Sequence, residues 1–120
     1  MNIEQIQKLL APYDTSPTEC DGLTRILHTL LCQHNIPHLV LFGKCSYASQ
    51  VMPLHYWIDL LSPLTGWRVD YRARLWFGEF EDVPHGIFQP HDFSAIMYEG
   101  RPVELDVLPE QVFQLLMLKL

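Results

Sequence analysis

Apolar residues recur along this chain at two spacings, and the change from one to the other divides it. Ile3, Ile6, Leu9 and Leu10 lie at helical intervals, which predicts a short amphipathic helix over 2–10. That helix is expected to stop before Ala11-Pro12, because the residue ahead of a proline is pushed out of the α region. Segment 12–18 reads as a polar loop. Leu23, Ile26, Leu27, Leu30 and Leu31 then follow an i, i+3, i+4, i+7, i+8 pattern that ends near His34-Asn35, ahead of Pro37. Ser16, Pro17 and Glu19 supply start signals for this second helix: a cap, a residue suited to the first helical position, and the acidic member of an S-x-x-E capping box.

Beyond Pro37 the spacing shortens. Residues 38–43 form a nearly continuous apolar run, as in a buried strand, and Leu54 to Leu61 alternate about a pleat. Ser62-Pro63-Leu64-Thr65-Gly66 is a turn, and Trp67 to Tyr71 reads as the returning strand. A four-residue loop at 62–65 pairs Leu61 with Gly66, Asp59 with Arg68 and Trp57 with Asp70. That register puts His55, Trp57, Asp59, Arg68 and Asp70 on one face, and Tyr56, Ile58 and Leu60 on the other; a slip of one residue would undo it. Residues 72–90 are irregular, punctuated by Gly78, Pro84 and Gly86. A short strand near 94–99 leads to a Glu99-Gly100-Arg101-Pro102 turn, and Val112, Phe113, Leu116 and Met117 mark a closing helix over 109–118. With no repeat or linker, residues 1–120 are expected to be a single α+β domain, N-terminal helices packed on an antiparallel sheet.

Composition narrows the choices. Hydrophobic residues make up 48% and charged residues 18%, a balance that fits a packed core and excludes a disordered chain. Eight basic residues against 14 acidic ones leave a net charge of −6, so nucleic acid is not an expected partner. No apolar run approaches a membrane span, and MNIEQIQKLL lacks the layout of a signal peptide. The three cysteines, Cys20, Cys32 and Cys45, include no CxxC pair and are odd in number, which disfavours a zinc ribbon or a disulfide framework. A cytoplasmic chain with reduced thiols, no metal and no cofactor is the expectation, with no membrane association.

Cys20 is the informative thiol. It falls in the first turn of the capped helix, where free backbone N–H groups and the helix dipole favour an anion and hence a nucleophilic thiolate. A thiolate needs a base and the base needs an orienter. His55 sits within an apolar strand, and Asp70 becomes its diagonal neighbour in the register above. Cys32 and Cys45 read as packing residues. His85 and His91 read as solvated loop histidines whose spacing with His55 makes no metal site. Arg68, Arg72 and Arg74 read as exposed alternating positions, with Asp59–Arg68 as a cross-strand ion pair.

Glu19-Cys20-Asp21-Gly22-Leu23 opening a helix, Asn35-Ile36-Pro37 turning into a strand, His55-x-Trp57 and Trp67-Arg68-Val69-Asp70 together resemble the transglutaminase-like (papain-like) cysteine enzymes over residues 16–75. The resemblance implies a papain-like core with Cys20 as nucleophile, His55 as general base and acid, and Asp70 as orienter. Asn35 replaces the usual glycine of that turn, the usual acidic residue after His-x-Trp is displaced to Asp59, and Tyr71 stands where a proline often follows the aspartate. The implied function is cysteine-dependent acyl transfer on amides of a protein or peptide substrate, hydrolytic as in a peptidase, amidase or glutamine deamidase. The alternative is a catalytically inactive binding or regulatory domain of the same fold. The Cys20 N–H and the Tyr13 hydroxyl are candidate oxyanion donors, and Trp57 a candidate wall of a substrate cleft.

Overall fold

The computed structural model describes residues 1–117, so position 118 of the expected closing helix lies outside the described residues. Helix α1 spans Ile3–Leu10 and is capped at Asn2, whose side chain accepts from the Gln5 N–H while the Gln5 side chain accepts from Asn2 N–H in return. Ile6 and Leu10 bury its apolar stripe. The chain does not open into a loop at Pro12; it tightens into a 3-10 turn over Ala11–Thr15, where the missing proline N–H falls in the first turn and breaks nothing.

Helix α2 spans Cys20–Gln33. It begins later than Ser16-Pro17 suggests, and the expected capping box does not form: the cap residue is Glu19, without a side-chain cap. Ser16 is buried and its hydroxyl bonds that of Thr18. The reason lies 54 or more residues away, where the Arg72 guanidinium takes the carbonyls of Asp14, Ser16 and Thr18 and holds this segment out of the helix. Leu23, Ile26, Leu27, Leu30 and Leu31 face the core as expected. The helix closes with Ile36 N–H on Leu31 O and with Asn35 at φ 54°, a left-handed position that asparagine tolerates.

Strands β1 (His38–Tyr47), β2 (Gln50–Leu60) and β3 (Arg68–Asp70), helix α3 (Ala73–Phe77), strands β4 (Gly86–Phe88) and β5 (Ile96–Pro102) and helix α4 (Glu110–Met117) follow. They build an α+β fold around a five-stranded sheet of order β4-β3-β2-β1-β5, every neighbouring pair antiparallel. The stretch from 72 to 90, read as irregular, contains α3 and β4. The β1–β2 ribbon runs past the apolar pattern to a two-residue turn at Ala48-Ser49, because its distal half carries mixed residues, with Val51 and Leu54 exposed. Pairing of Asp59 with Arg68 and Ile58 with Val69 is the register expected for the β2–β3 hairpin.

The proposed turn at 99–102 is instead the end of β5, with Gly100 opposite Gly43 of β1. A β-carbon on Gly100 would stand 2.5 Å from the Trp57 ring, and one on Gly43 2.2 Å from the Glu99 carbonyl oxygen. These glycines serve close approach rather than chain reversal.

One face of the sheet, with Val40, Ile58, Leu60, Val69 and Ile87, packs on α1, α2 and Phe113 of α4. A smaller cluster of Cys45, Ala73, Phe77, Val83 and Ile96 closes another part of the molecule. No helix among the described residues is long and apolar enough to cross a membrane.

Candidate active site

Cys20 is the first residue of α2 and is only 7% exposed. No side-chain cap closes this helix start among the described residues; the Gly22 N–H donates to Asp21 Oδ1 and the Leu23 N–H to the Glu19 carbonyl, which leaves the N–H groups of Cys20 and Asp21 available to an anion. On the sheet, β3 pairs with β2 at Ile58 and Asp59 only, so the edge of β2 lies open at His55. There the Cys20 side chain comes within interaction range of the imidazole.

His55 is wholly buried. Its Nε2 lies 2.6 Å from Asp70 Oδ2, its Nδ1 makes no hydrogen bond among the described residues, and the Cys20 thiol is close enough to bear on the charge of the ring. Asp70 is held by four donors. Oδ2 accepts from His55 and from the Tyr98 hydroxyl at 2.8 Å, and Oδ1 accepts from the N–H groups of Arg72 at 2.9 Å and Ala73 at 3.1 Å. The turn into α3 thus fixes one carboxylate oxygen, and β2 and β5 fix the other. Burial alone pushes the His55 imidazole down, but the Asp70 charge and hydrogen bond, with the Cys20 thiol, outweigh it and raise the ring to about 9. The raised value favours the protonated ring at neutral pH, with Nε2 committed to Asp70.

The three residues singled out by sequence are therefore brought into one chain of contacts, Cys20 to His55 to Asp70. Trp57 and Tyr13 are not. Trp57 is buried behind the histidine, its ring 4.9 Å from Tyr98 and 6.1 Å from His55, and it braces the site instead of lining the cleft. Its length carries it over Gly100, where no side chain stands in the way. Tyr13 lies in the core against Phe113, at 6.3 Å between ring centroids, and does not line the cleft at Cys20 where an oxyanion donor is expected.

A cleft of about 260 Å³ runs past Cys20, walled by Phe42, Met52, Leu54, Tyr56 and Trp76 and flanked by the carboxylate-bearing Glu19 and Asp21. A larger one, about 520 Å³, lies on the far side of the 14–18 segment against Arg72 and contains none of the three site residues.

Two contributors escaped sequence reasoning. Tyr98 reaches Asp70 from the outermost strand, and burial together with that carboxylate holds its phenol protonated. Arg72, read as an exposed strand residue, is mostly buried and bonds Asp14 Oδ1 at 2.7 Å as well as the three carbonyls. Of its neighbours, Arg68 makes the expected pair with Asp59, at 2.7 and 3.1 Å, and Arg74 bonds Val83 O. His85 is not a free loop residue but pairs with Asp14 at 2.7 Å, while His91 is exposed beside Asp92. Cys45 packs as expected, its thiol pushed up to about 12 by burial and by Asp70. Cys32 is exposed and lies beside the His28 ring, a correction to its reading as a packing residue.

No family model, curated protein or solved structure matches this chain.

Proposed function

We propose that the protein is a cysteine-dependent acyl-transfer enzyme of the transglutaminase-like, papain-related type, acting hydrolytically on amides. The observation that carries this reading is the buried His55 ring, bonded at Nε2 to Asp70, with Nδ1 left unpartnered among the described residues and the Cys20 thiol within interaction range; the carboxylate favours its charged form. Such a ring stabilises a thiolate beside it and is already charged with the proton the reaction needs. In the reaction the Cys20 sulfur attacks the amide carbon, and the tetrahedral oxyanion meets the Cys20 N–H at the start of α2. His55 transfers its proton to the leaving amine as the C–N bond breaks, giving a thioester. The neutral ring then takes a proton from water, whose oxygen displaces the sulfur and releases a carboxylic acid. The apolar walls of the cleft suit an acyl group with an apolar side chain beside the scissile bond.

Alkylation by iodoacetamide in the presence of a chelator tests the assignment. Cys32 is the most exposed thiol, so exposure alone would make it react first. The proposal requires Cys20 to be modified faster than Cys32 at pH 6–7, as read by peptide mass spectrometry, and Cys20→Ala to abolish that fast phase. Equal rates at both sites would leave the fold as a non-catalytic binding domain.

A further inference from the structure

A second group of polar side chains lies at the other end of α2. His28 and Cys32 are one turn apart on that helix, and His38 opens β1 after the Asn35-Ile36-Pro37 turn. One ligand atom from each of the three lies within 4.8 Å of the others. His28 Nδ1 and His38 Nε2 face each other at 2.7 Å, and the Cys32 sulfur is 3.8 Å from His28 Nδ1.

The outer nitrogens explain what the inner ones are set to do. His38 Nδ1 donates to the Ile36 carbonyl at 2.8 Å, which leaves the Nε2 lone pair directed inward. The Leu105 backbone also lies beside the His28 ring and favours its charged form, and the Cys32 sulfur stands 3.9 Å from His28 Nε2, nearly as close as to Nδ1. In the metal-free chain one of the two inner nitrogens carries the hydrogen of the 2.7 Å contact; an ion that displaces this single proton meets two lone pairs converging on one point with a thiol beside them. Backbone carbonyls holding the remote N–H of imidazoles are the usual support of metal-bound histidines. Cys32 lies in the last turn of α2, where the negative end of the helix dipole favours a cation.

The distances fit a tetrahedral ion. Two nitrogens bound to Zn²⁺ stand about 3.3 Å apart, and a bound thiolate stands about 3.6 Å from each. The sulfur is already within a few tenths of an ångström of that from His28 Nδ1 and within 4.8 Å of His38, and the nitrogen pair has to open by about 0.6 Å. We propose that His28, Cys32 and His38 bind one borderline-soft divalent cation of the Zn²⁺ class, with a fourth position left for water. The donor set favours such an ion over Mg²⁺ or Ca²⁺. The site is independent of the Cys20 chemistry and would clamp the C-terminal end of α2 to the first strand.

Titration of the full chelator-treated chain with Co²⁺ and with Zn²⁺ tests this. One equivalent of Co²⁺ should produce a thiolate-to-metal charge-transfer band in the near ultraviolet, in the parent chain and equally in Cys20→Ala. Cys32→Ser, a change at an exposed position that leaves the core untouched, should lose the band and weaken Zn²⁺ binding by at least roughly 100-fold in a chelator competition. His38→Gln should do the same. Absence of stoichiometric binding, a band that survives in Cys32→Ser, or one that vanishes in Cys20→Ala would each overturn the proposal; the first would leave His28 and His38 as a simple imidazole hydrogen bond.

Discussion

Replacing Asp70 by Asn asks whether the charge on His55 is imposed by this carboxylate. The two backbone donors at Oδ1, from Arg72 and Ala73, oblige the new side chain to keep its carbonyl oxygen there. The amide nitrogen then occupies the place of Oδ2, facing His55 Nε2 and the Tyr98 hydroxyl. A donor in that position makes Nε2 an acceptor and moves the ring proton to Nδ1, the nitrogen directed at Cys20, so the thiol loses its base. The energy follows from the ring itself. Its value of about 9 in the fold, against 6.5 for an unperturbed imidazole, corresponds to about 3 kcal/mol at about 1.4 kcal/mol per pH unit. Because the folded value is raised, the folded chain holds the proton more tightly than the unfolded one. The stabilisation is therefore complete below pH 6.5 and is lost as the pH rises through about 9. Urea unfolding of the parent and Asp70→Asn chains from pH 6 to pH 10 should show a gap of about 3 kcal/mol at the acid end that narrows at the alkaline end. Alkylation of Cys20 at neutral pH should slow by about 100-fold or more in the variant. A stability gap that stays constant across this range, or an unchanged alkylation rate, refutes the ion pair.

Arg72→Lys removes the planar fork that spans the 14–18 segment; Cys20 alkylation should slow by about tenfold and urea unfolding should show a loss of about 2 kcal/mol. Tyr98→Phe deletes one of the four donors on Asp70 and should cost about 1 kcal/mol in the same assay, with Cys20 reactivity falling only a few-fold. Gly100→Ala forces a methyl group against the Trp57 indole and the Phe42 carbonyl, and a thermal melt should register a loss of about 1–3 kcal/mol. A melt unchanged by that substitution would show that β5 sits farther from β1 than the structure places it.

The parts of the site that are local in sequence were legible from it. The turn of 62–66 fixes how β2 and β3 align, and alternation along two adjoining strands then carries His55 to Asp70 without further information. The apolar stripe of α2 likewise determines its buried face. What stayed hidden depends on contacts between distant segments. Ser16-Pro17 carry every local signal of a helix start, yet Arg72 claims the carbonyls that the helix would have used, and tertiary bonding overrides the cap. Gly100 beside Pro102 has the composition of a turn, but the space needed by Trp57 puts the glycine in a strand. Tyr98 has no periodic partner at all; its role exists because β5 docks beside β1 on the far side of the sheet from β3. The convergence of His28, Cys32 and His38 is hidden for a related reason, since it needs the exact hand of the Asn35 turn between helix and strand.

The four donors around Asp70 come from three separate stretches of chain, one of them the outermost strand. Peeling β5 away from β1 would free the phenol and unlatch the acid without breaking a covalent bond or touching the sulfur. Loss of Cys20 reactivity on heating should therefore track detachment of this border strand, so that the thiol falls silent before the helices melt.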